Sequence, residues 1–206
     1  MYLSKLMLNP SPAARAVQRD LASPYQLHRT LMRAFPDKSS GGPGRVLFRV
    51  EPMREDDPPV VLVQSEKEPD WSPLLEEGHH VLIADSKQFD ISVRAGQLLR
   101  FRLRANPTVC RAGKRHGLVR HEDQCEWLKR KAAGAGFEPL DFTVRRSARY
   151  VSRVRAGEGA TTQTHLGVDY EGLLKVTDPN LFTATLARGI GSAKGYGFGL
   201  LSVAPF

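Results

Sequence analysis

Tyr25 and His28 stand three residues apart in a segment that opens like a helix, Ser23-Pro24-Tyr25-Gln26. Ser23 fits the N-cap, Pro24 the first helical position and Gln26 the far end of a capping box. The two functional side chains then share one helix face. The macrodipole disfavours the cationic form of a histidine near a helix N-terminus, which keeps its imidazole neutral and basic. RNA carries its own nucleophile, the 2′-hydroxyl. A base for that proton, an acid for the 5′-oxygen and a cation on the phosphate are enough to cut it, with no metal. Tyr25 would orient the attacking group or donate a proton. The same spacing also describes a packed structural pair, and taken alone it does not separate the two.

The charge pattern supplies the cation. The 206 residues hold 30 Lys and Arg against 22 Asp and Glu, a formal charge of +8. Residues 1–96 carry 12 basic against 13 acidic side chains, residues 97–206 carry 18 against 9, so the excess belongs to the second half. That asymmetry is the footprint of a polyanion partner, although a generically basic surface has it too. In Leu99-Arg100-Phe101-Arg102-Leu103-Arg104 the alternation is strict, which puts three apolar residues on a core face and Arg100, Arg102 and Arg104 on the other. Three cations in a row repel one another and call for an anion nearby. A second cluster, Arg145, Arg146, Arg149, Arg153 and Arg155, ends in Ala-Gly-Glu-Gly-Ala and is followed by another extended stretch. A basic hairpin over roughly 142–176 is predicted, long enough to reach into a nucleic-acid groove.

Between Gly189 and Gly199 five glycines fall in eleven residues, with Lys194 among them. Glycine lets backbone N–H groups approach a phosphate chain closely. A dinucleotide fingerprint needs a strand before the glycines and a helix after them, and here the order is reversed. Gly113-Lys114-Arg115 is no Walker A motif. A tight turn after a helix accounts for Gly189 alone, so Gly189, Gly191, Lys194, Gly195 and Gly197 are taken as phosphate-facing.

Other chemistries fit less well. Cys110, His116, His121 and Cys125 lack the tight cysteine knuckle of a structural zinc site. His28-Arg29-Thr30 has no second copy for a two-histidine phosphoesterase, and Glu55-Asp56-Asp57 reads as a solvated turn before Pro58-Pro59. Neither a metal nor a cofactor is expected. Two cysteines make no disulfide framework, Met1–Pro10 breaks off too early for a signal peptide, and the run Val60–Val63 cannot cross a bilayer. A cytoplasmic protein with no membrane partner, monomeric when free, is expected.

The elements that must position these residues follow from periodicity and punctuation. Strands are predicted at 2–8, 46–50, 60–64, 81–84, 97–105 and 200–204. Helices are predicted at 11–21, 23–35, 122–133 and 178–189, with the hairpin between the last two. Each half approximates a split βαβ pattern. The fold class expected is α+β, two tandem ferredoxin-like (βαββαβ) domains with antiparallel sheets. They would span 1–92, with the histidine and tyrosine, and 96–206, with the hairpin and glycine loop.

Three stretches together resemble the CasE-type CRISPR-associated endoribonucleases: Arg19-Asp20-Leu21-Ala22-Ser23-Pro24-Tyr25-Gln26-Leu27-His28-Arg29, the strand Leu-Arg-Phe-Arg-Leu-Arg-Ala-Asn-Pro, and Gly-Ile-Gly-Ser-Ala-Lys-Gly-Tyr-Gly-Phe-Gly-Leu-Leu-Ser-Val. The resemblance spans nearly the whole chain. It implies tandem ferredoxin-like domains, recognition of a CRISPR repeat RNA hairpin and metal-independent cleavage at the hairpin base. The ends would be a 5′-hydroxyl and a 2′,3′-cyclic or 3′-phosphate. It further implies retention of the product and assembly with other Cascade subunits. The family's catalytic histidine and tyrosine match His28 and Tyr25, and its RNA-reading elements match the basic hairpin and the glycine loop, with Arg29 beside the histidine. Some members place a basic hairpin residue near the scissile phosphate, and whether Arg153, Arg155 or neither does so here stays open. The alternative is a non-catalytic RNA-binding subunit of the same superfamily.

Overall fold

The computed structural model describes residues 1–53, 57–77, 80–156 and 159–206; of Lys38, 153–156 and 159–160 it describes the backbone. The chain forms two compact units. The first comprises Met1–Asp90 with Val151–Gln163 and Gly195–Gly197, the second Ile91–Tyr150, Thr164–Lys194 and Phe198–Phe206.

In the first unit β1 (Tyr2–Leu8), α1 (Arg15–Ala22), α2 (Pro24–Leu31), β2 (Val46–Val50), β3 (Val60–Ser65), α3 (Ser72–Glu76) and β4 (Val81–Gln88) follow in order. The sheet runs β2-β3-β1-β4, and β1 is antiparallel to both neighbours. This is the ferredoxin-like arrangement. Alternation in β1 buries Leu6 and Leu8 against Leu27 and Leu31 of α2 and Val61 and Val63 of β3. The helix α3 is absent from the sequence-based expectation because it is five residues long and carries no periodic signal of its own. Trp71, just before it, anchors it: the indole N–H lies 3.1 Å from Ser4 Oγ and 3.0 Å from Ser86 Oγ, and the ring meets Phe35 edge-on. The strand β4 runs four residues beyond the predicted Ala84, since β1 supplies a full ladder partner.

The second unit contains β5 (Leu98–Ala105), β6 (Thr108–Arg111), β7 (Lys114–Gly117), α4 (His121–Ala133), β8 (Phe137–Ala156), β9 (Gly159–Val176), α5 (Pro179–Arg188) and β10 (Leu201–Pro205), the outer ends of β8 and β9 grouping with the first unit. Its sheet order, β10-β5-β9-β8, repeats the ferredoxin-like pattern. The protein is therefore α+β with two such antiparallel sheets. Leu99, Phe101 and Leu103 face a core completed by Trp127 and Leu128 of α4 and Phe182 and Leu186 of α5. Asp178 caps α5 by accepting the Leu181 amide at 3.0 Å. The short β6–β7 hairpin was not anticipated. Its two-residue turn is Ala112-Gly113, both at positive φ (48° and 74°), a geometry usually signalled by Asn-Gly. Among the described residues no helix is long and apolar enough to cross a membrane.

Candidate RNA-cleavage site

Pro24 at the first position starts α2, and Ser23 both ends α1 and opens α2. The expected capping box does not form: the Ser23 side chain makes no cap bond, and its backbone N–H instead closes α1 on the Asp20 carbonyl. One helical turn separates Tyr25 from His28, placing both on one face. The His28 ring stacks on Phe48 of β2, centroids 6.1 Å apart and planes 14° from parallel. Its Nδ1 is buried without a hydrogen-bond partner among the described residues. Burial pushes the imidazole pKa below its ordinary value, so the ring is neutral at pH 7.

The tripeptide Gly195-Tyr196-Gly197 belongs to the same unit and lies against this face. A Cβ added at Gly195 would stand 3.7 Å from His28 Nε2, so loop backbone lines the nitrogen opposite the buried one. Tyr196 stacks on Tyr25, centroids 6.4 Å apart and planes at 28°. Burial, with Tyr25 beside it, raises the Tyr196 phenol pKa. Gly197 has φ 79°, and a Cβ there would come within 3.0 Å of Phe48. Only glycine gives both that backbone and that clearance. Two aromatic stacks and a glycine-lined approach thus frame one neutral imidazole, a setting suited to proton transfer.

The whole chain matches known proteins. The model of the CRISPR-associated protein family covers residues 1–205. The chain belongs to this CRISPR-associated family. It is 43% identical to the CRISPR-associated endoribonuclease Cse3 of Thermus thermophilus and 32% identical to the Cascade subunit CasE of Escherichia coli (strain K12), in each case over the full length of both. A solved structure of Cse3 bound to a 19-nucleotide RNA superposes with a TM-score of 0.88 at 43% identity, again covering both chains completely.

Within this CRISPR-associated chain the basic residues singled out from the sequence separate into classes. Arg29 is exposed on α2, next to His28. Arg100 is exposed and sits over the Phe206 ring at 5.8 Å. Arg102 pairs with Glu171 at 3.8 Å, and Arg145 holds the same carboxylate at 2.6 Å. Arg104 is 9% exposed, gripped at 2.6 and 3.0 Å by both oxygens of Asp169 and stacked over Tyr150. The anion that the stripe calls for thus comes from β9 for Arg102 and Arg104. Arg146 and Arg149 are exposed on β8, without an ion-pair partner among the described residues. Arg153 and Arg155 lie on β8 in the first unit, but their side chains fall outside the described residues, as do Glu55, Asp56, Gly157 and Glu158.

The glycine loop is tighter than the sequence shows. Gly189, Gly191, Gly197 and Gly199 all have positive φ, so a tight turn explains four of the five glycines, not Gly189 alone. Gly191 abuts the Trp127 indole, Gly199 leaves no room for a Cβ beside the Ile190 carbonyl, and Lys194 opens a short 3-10 turn that leads to Tyr196. Two residues of the site escaped sequence reasoning: Tyr196 and Phe48. An aromatic flanked by glycines, Gly195-Tyr196-Gly197, was the available signal for the first. Among the described residues no three His, Cys, Asp or Glu side chains cluster as a metal would need.

Proposed function

We propose that the protein is an endoribonuclease that binds the hairpin of a CRISPR repeat RNA, cuts it by 2′-hydroxyl attack, and stays on the product within a Cascade complex in the cytoplasm. The observation that carries the chemistry is the neutral His28 imidazole, with Nδ1 buried and Nε2 facing the Gly195 backbone. His28 takes the 2′-hydroxyl proton; the 2′-oxygen bonds to the adjacent phosphorus as the bond to the 5′-oxygen breaks, and that oxygen leaves as a hydroxyl by taking a proton from Tyr25 or water. The products are a 2′,3′-cyclic phosphate and a 5′-hydroxyl end. Tyr25 assists by orienting the attacking group or donating a proton, and arginines of the hairpin meet the charge that grows on the phosphate.

The names of the relatives, an endoribonuclease and a Cascade subunit, support the reading, as does the RNA held by the structural neighbour. We assign residues 1–92 to the catalytic domain and 96–206 to an RNA-binding domain whose contacts come from Arg100, Arg145, Arg146, Arg149, Lys194 and the glycine loop. The protein acts as a monomer when free. Incubation of the purified protein with a repeat hairpin in EDTA tests the mechanism. Cleavage that survives EDTA and disappears in His28→Ala, with binding kept, is the expected result. Binding without cleavage by the wild type would make the chain a non-catalytic RNA-binding subunit, and cleavage by His28→Ala at the wild-type rate would remove the histidine from the mechanism.

A further inference from the structure

The second unit holds a cavity of about 300 Å³, lined in part by Ser192 and Ala193 of the glycine loop, that the cleavage chemistry above does not use. Its polar lining is Asn106, Thr108, Arg115, Thr164, His165 and Ser192. Arg115 and Thr164 are exposed, so they mark the mouth, and Asn106 at 6% exposure marks the floor. The volume stands at the small end of ligand sites, right for one planar group and its sugar and far too small for a duplex.

The floor has the chemistry of a base reader. A carboxamide offers a donor and an acceptor side by side, which pair bidentately with the matching edge of a purine, adenine best of all. The Asn106 amide nitrogen lies 3.4 Å from Ser192 Oγ and 3.5 Å from His165 Nδ1, contacts at the long limit that orient the amide and that a base edge would displace in part. Phe198 meets the His165 ring edge-on at 5.9 Å and fixes its plane. Leu166 supplies an apolar wall, and Gly117 keeps that wall clear, since a Cβ there would stand 3.3 Å from Leu166 Cβ. At the rim Arg115 supplies an exposed cation suited to a backbone phosphate, and the threonine hydroxyls suit a ribose.

We propose that this cavity receives one unpaired ribonucleotide of the bound RNA, its base paired to the Asn106 amide and its phosphate on Arg115. The inference rests on the RNA-binding reading given above and adds to it a specificity pocket apart from the cleavage residues. Single-stranded positions are where RNA sequence is read, because their base edges are free.

The test uses the full-length protein and a repeat-hairpin RNA with its single-stranded flanks, made uncleavable by 2′-deoxy sugars beside the cut. Each unpaired nucleotide is made abasic in turn, and affinities are measured for wild type, Asn106→Ala, Arg115→Ala and Thr164→Ala. One abasic position should weaken wild-type binding about tenfold, and that loss should vanish in Asn106→Ala, the signature of a coupled pair. Should Asn106→Ala fail to fold, the two rim variants, both at exposed positions, carry the same cycle. Binding in which every abasic effect adds independently to every pocket variant overturns the inference while leaving the nuclease reading intact. Saturation by adenosine monophosphate alone, with no coupling on the RNA, overturns it equally. Failure of the wild type to bind the unmodified hairpin removes both.

Discussion

Thr30 Oγ1 donates a 2.5 Å hydrogen bond to Asp20 Oδ2, with Asp20 wholly buried and Thr30 nearly so. Asp20 belongs to α1 and Thr30 to α2, two residues beyond His28. His80 Nε2 stands 3.1 Å from the same carboxylate oxygen, and Arg19 reaches the other at 2.9 Å. The carboxylate therefore clasps the helix that presents the imidazole to its neighbour and to the approach into β4. Burial alone would raise the Asp20 pKa, but the adjacent His80 ring and the hydrogen bonds from Thr30 and Arg19 outweigh it and hold the group below the ordinary carboxylate range.

Removing either half of the clasp should loosen α2. Thr30→Val leaves a buried carboxylate one partner short, at a cost of about 1–2 kcal/mol. Asp20→Ala strips the partners of Thr30 and His80 together, at about 3 kcal/mol. Chemical denaturation reads both. If α2 is the platform for cleavage, Thr30→Val also slows cutting of prebound RNA more than it weakens binding, and Thr30→Ser restores it. The sign of the acid response follows from the lowered pKa. The stabilisation is present above the unfolded value of about 3.9 and is lost as pH falls through the lower folded value. Acid melts of wild type and Asp20→Asn should converge there.

The His28 pKa is shifted downward by burial, which fixes the sign of a second dependence. The neutral form is the base, so single-turnover cleavage should rise with pH, reach half its plateau below the ordinary histidine value of about 6.5, and stay flat at pH 7–8. His28→Ala should lower the rate constant by about 10²–10⁴-fold with RNA affinity unchanged. A rate that instead falls as pH rises through this range would mean that the charged imidazole, acting as an acid, limits the reaction.

Alanine should be tolerated at Gly195 and destabilising at Gly197. At Gly195 an alanine Cβ meets His28 Nε2 at 3.7 Å, an ordinary contact, and the backbone carries no positive φ. Gly195→Ala should fold with wild-type stability, whereas Gly195→Val should crowd the imidazole and cut the cleavage rate without a loss of melting temperature. Gly197→Ala combines a φ of 79° with a 3.0 Å approach to Phe48, so it should cost about 1–2 kcal/mol of stability before any effect on RNA. Thermal melts beside cleavage rates separate the two.

Much of this arrangement was legible in the sequence, for reasons particular to each element. The core strand β5 could be read because Leu99, Phe101 and Leu103 alternate with arginine, and α5 because Asp178-Pro179 is a start signal and Gly189 a stop. Tyr25 and His28 shared a face as soon as α2 was granted. What could not be read depends on contacts distant in sequence. Trp71 anchors α3 through Ser4 and Ser86, which strand pairing alone brings together. The burial that neutralises His28 comes in part from Phe48 and the Gly195 segment, 20 and 167 residues away. Arginine spacing announced a row of cations, but only the register of β5 on β9, with Arg104 opposite Asp169 and Arg102 opposite Glu171, shows which of them already has an anion.

That register leads to the last expectation. Arg146 and Arg149 are exposed cations on β8, so each should meet RNA phosphate where the strand contacts it. Arg146→Ala and Arg149→Ala should weaken binding of every hairpin alike, reduce the slope of log affinity against log salt by about 1 apiece, and leave the melting temperature alone. Arg104 sits in the other regime, because its guanidinium is committed to Asp169 and stacked on Tyr150. Arg104→Ala abandons a carboxylate that is 22% exposed, so it should cost about 2 kcal/mol of stability and leave the salt slope of the still-folded protein unchanged. Arg102 and Arg145 share the single carboxylate of Glu171, so neither is wholly neutralised by it, and their slopes should fall between these limits. A salt slope that drops by a full unit in Arg104→Ala would show that the Asp169 pair opens for RNA, and would return that arginine to the binding surface.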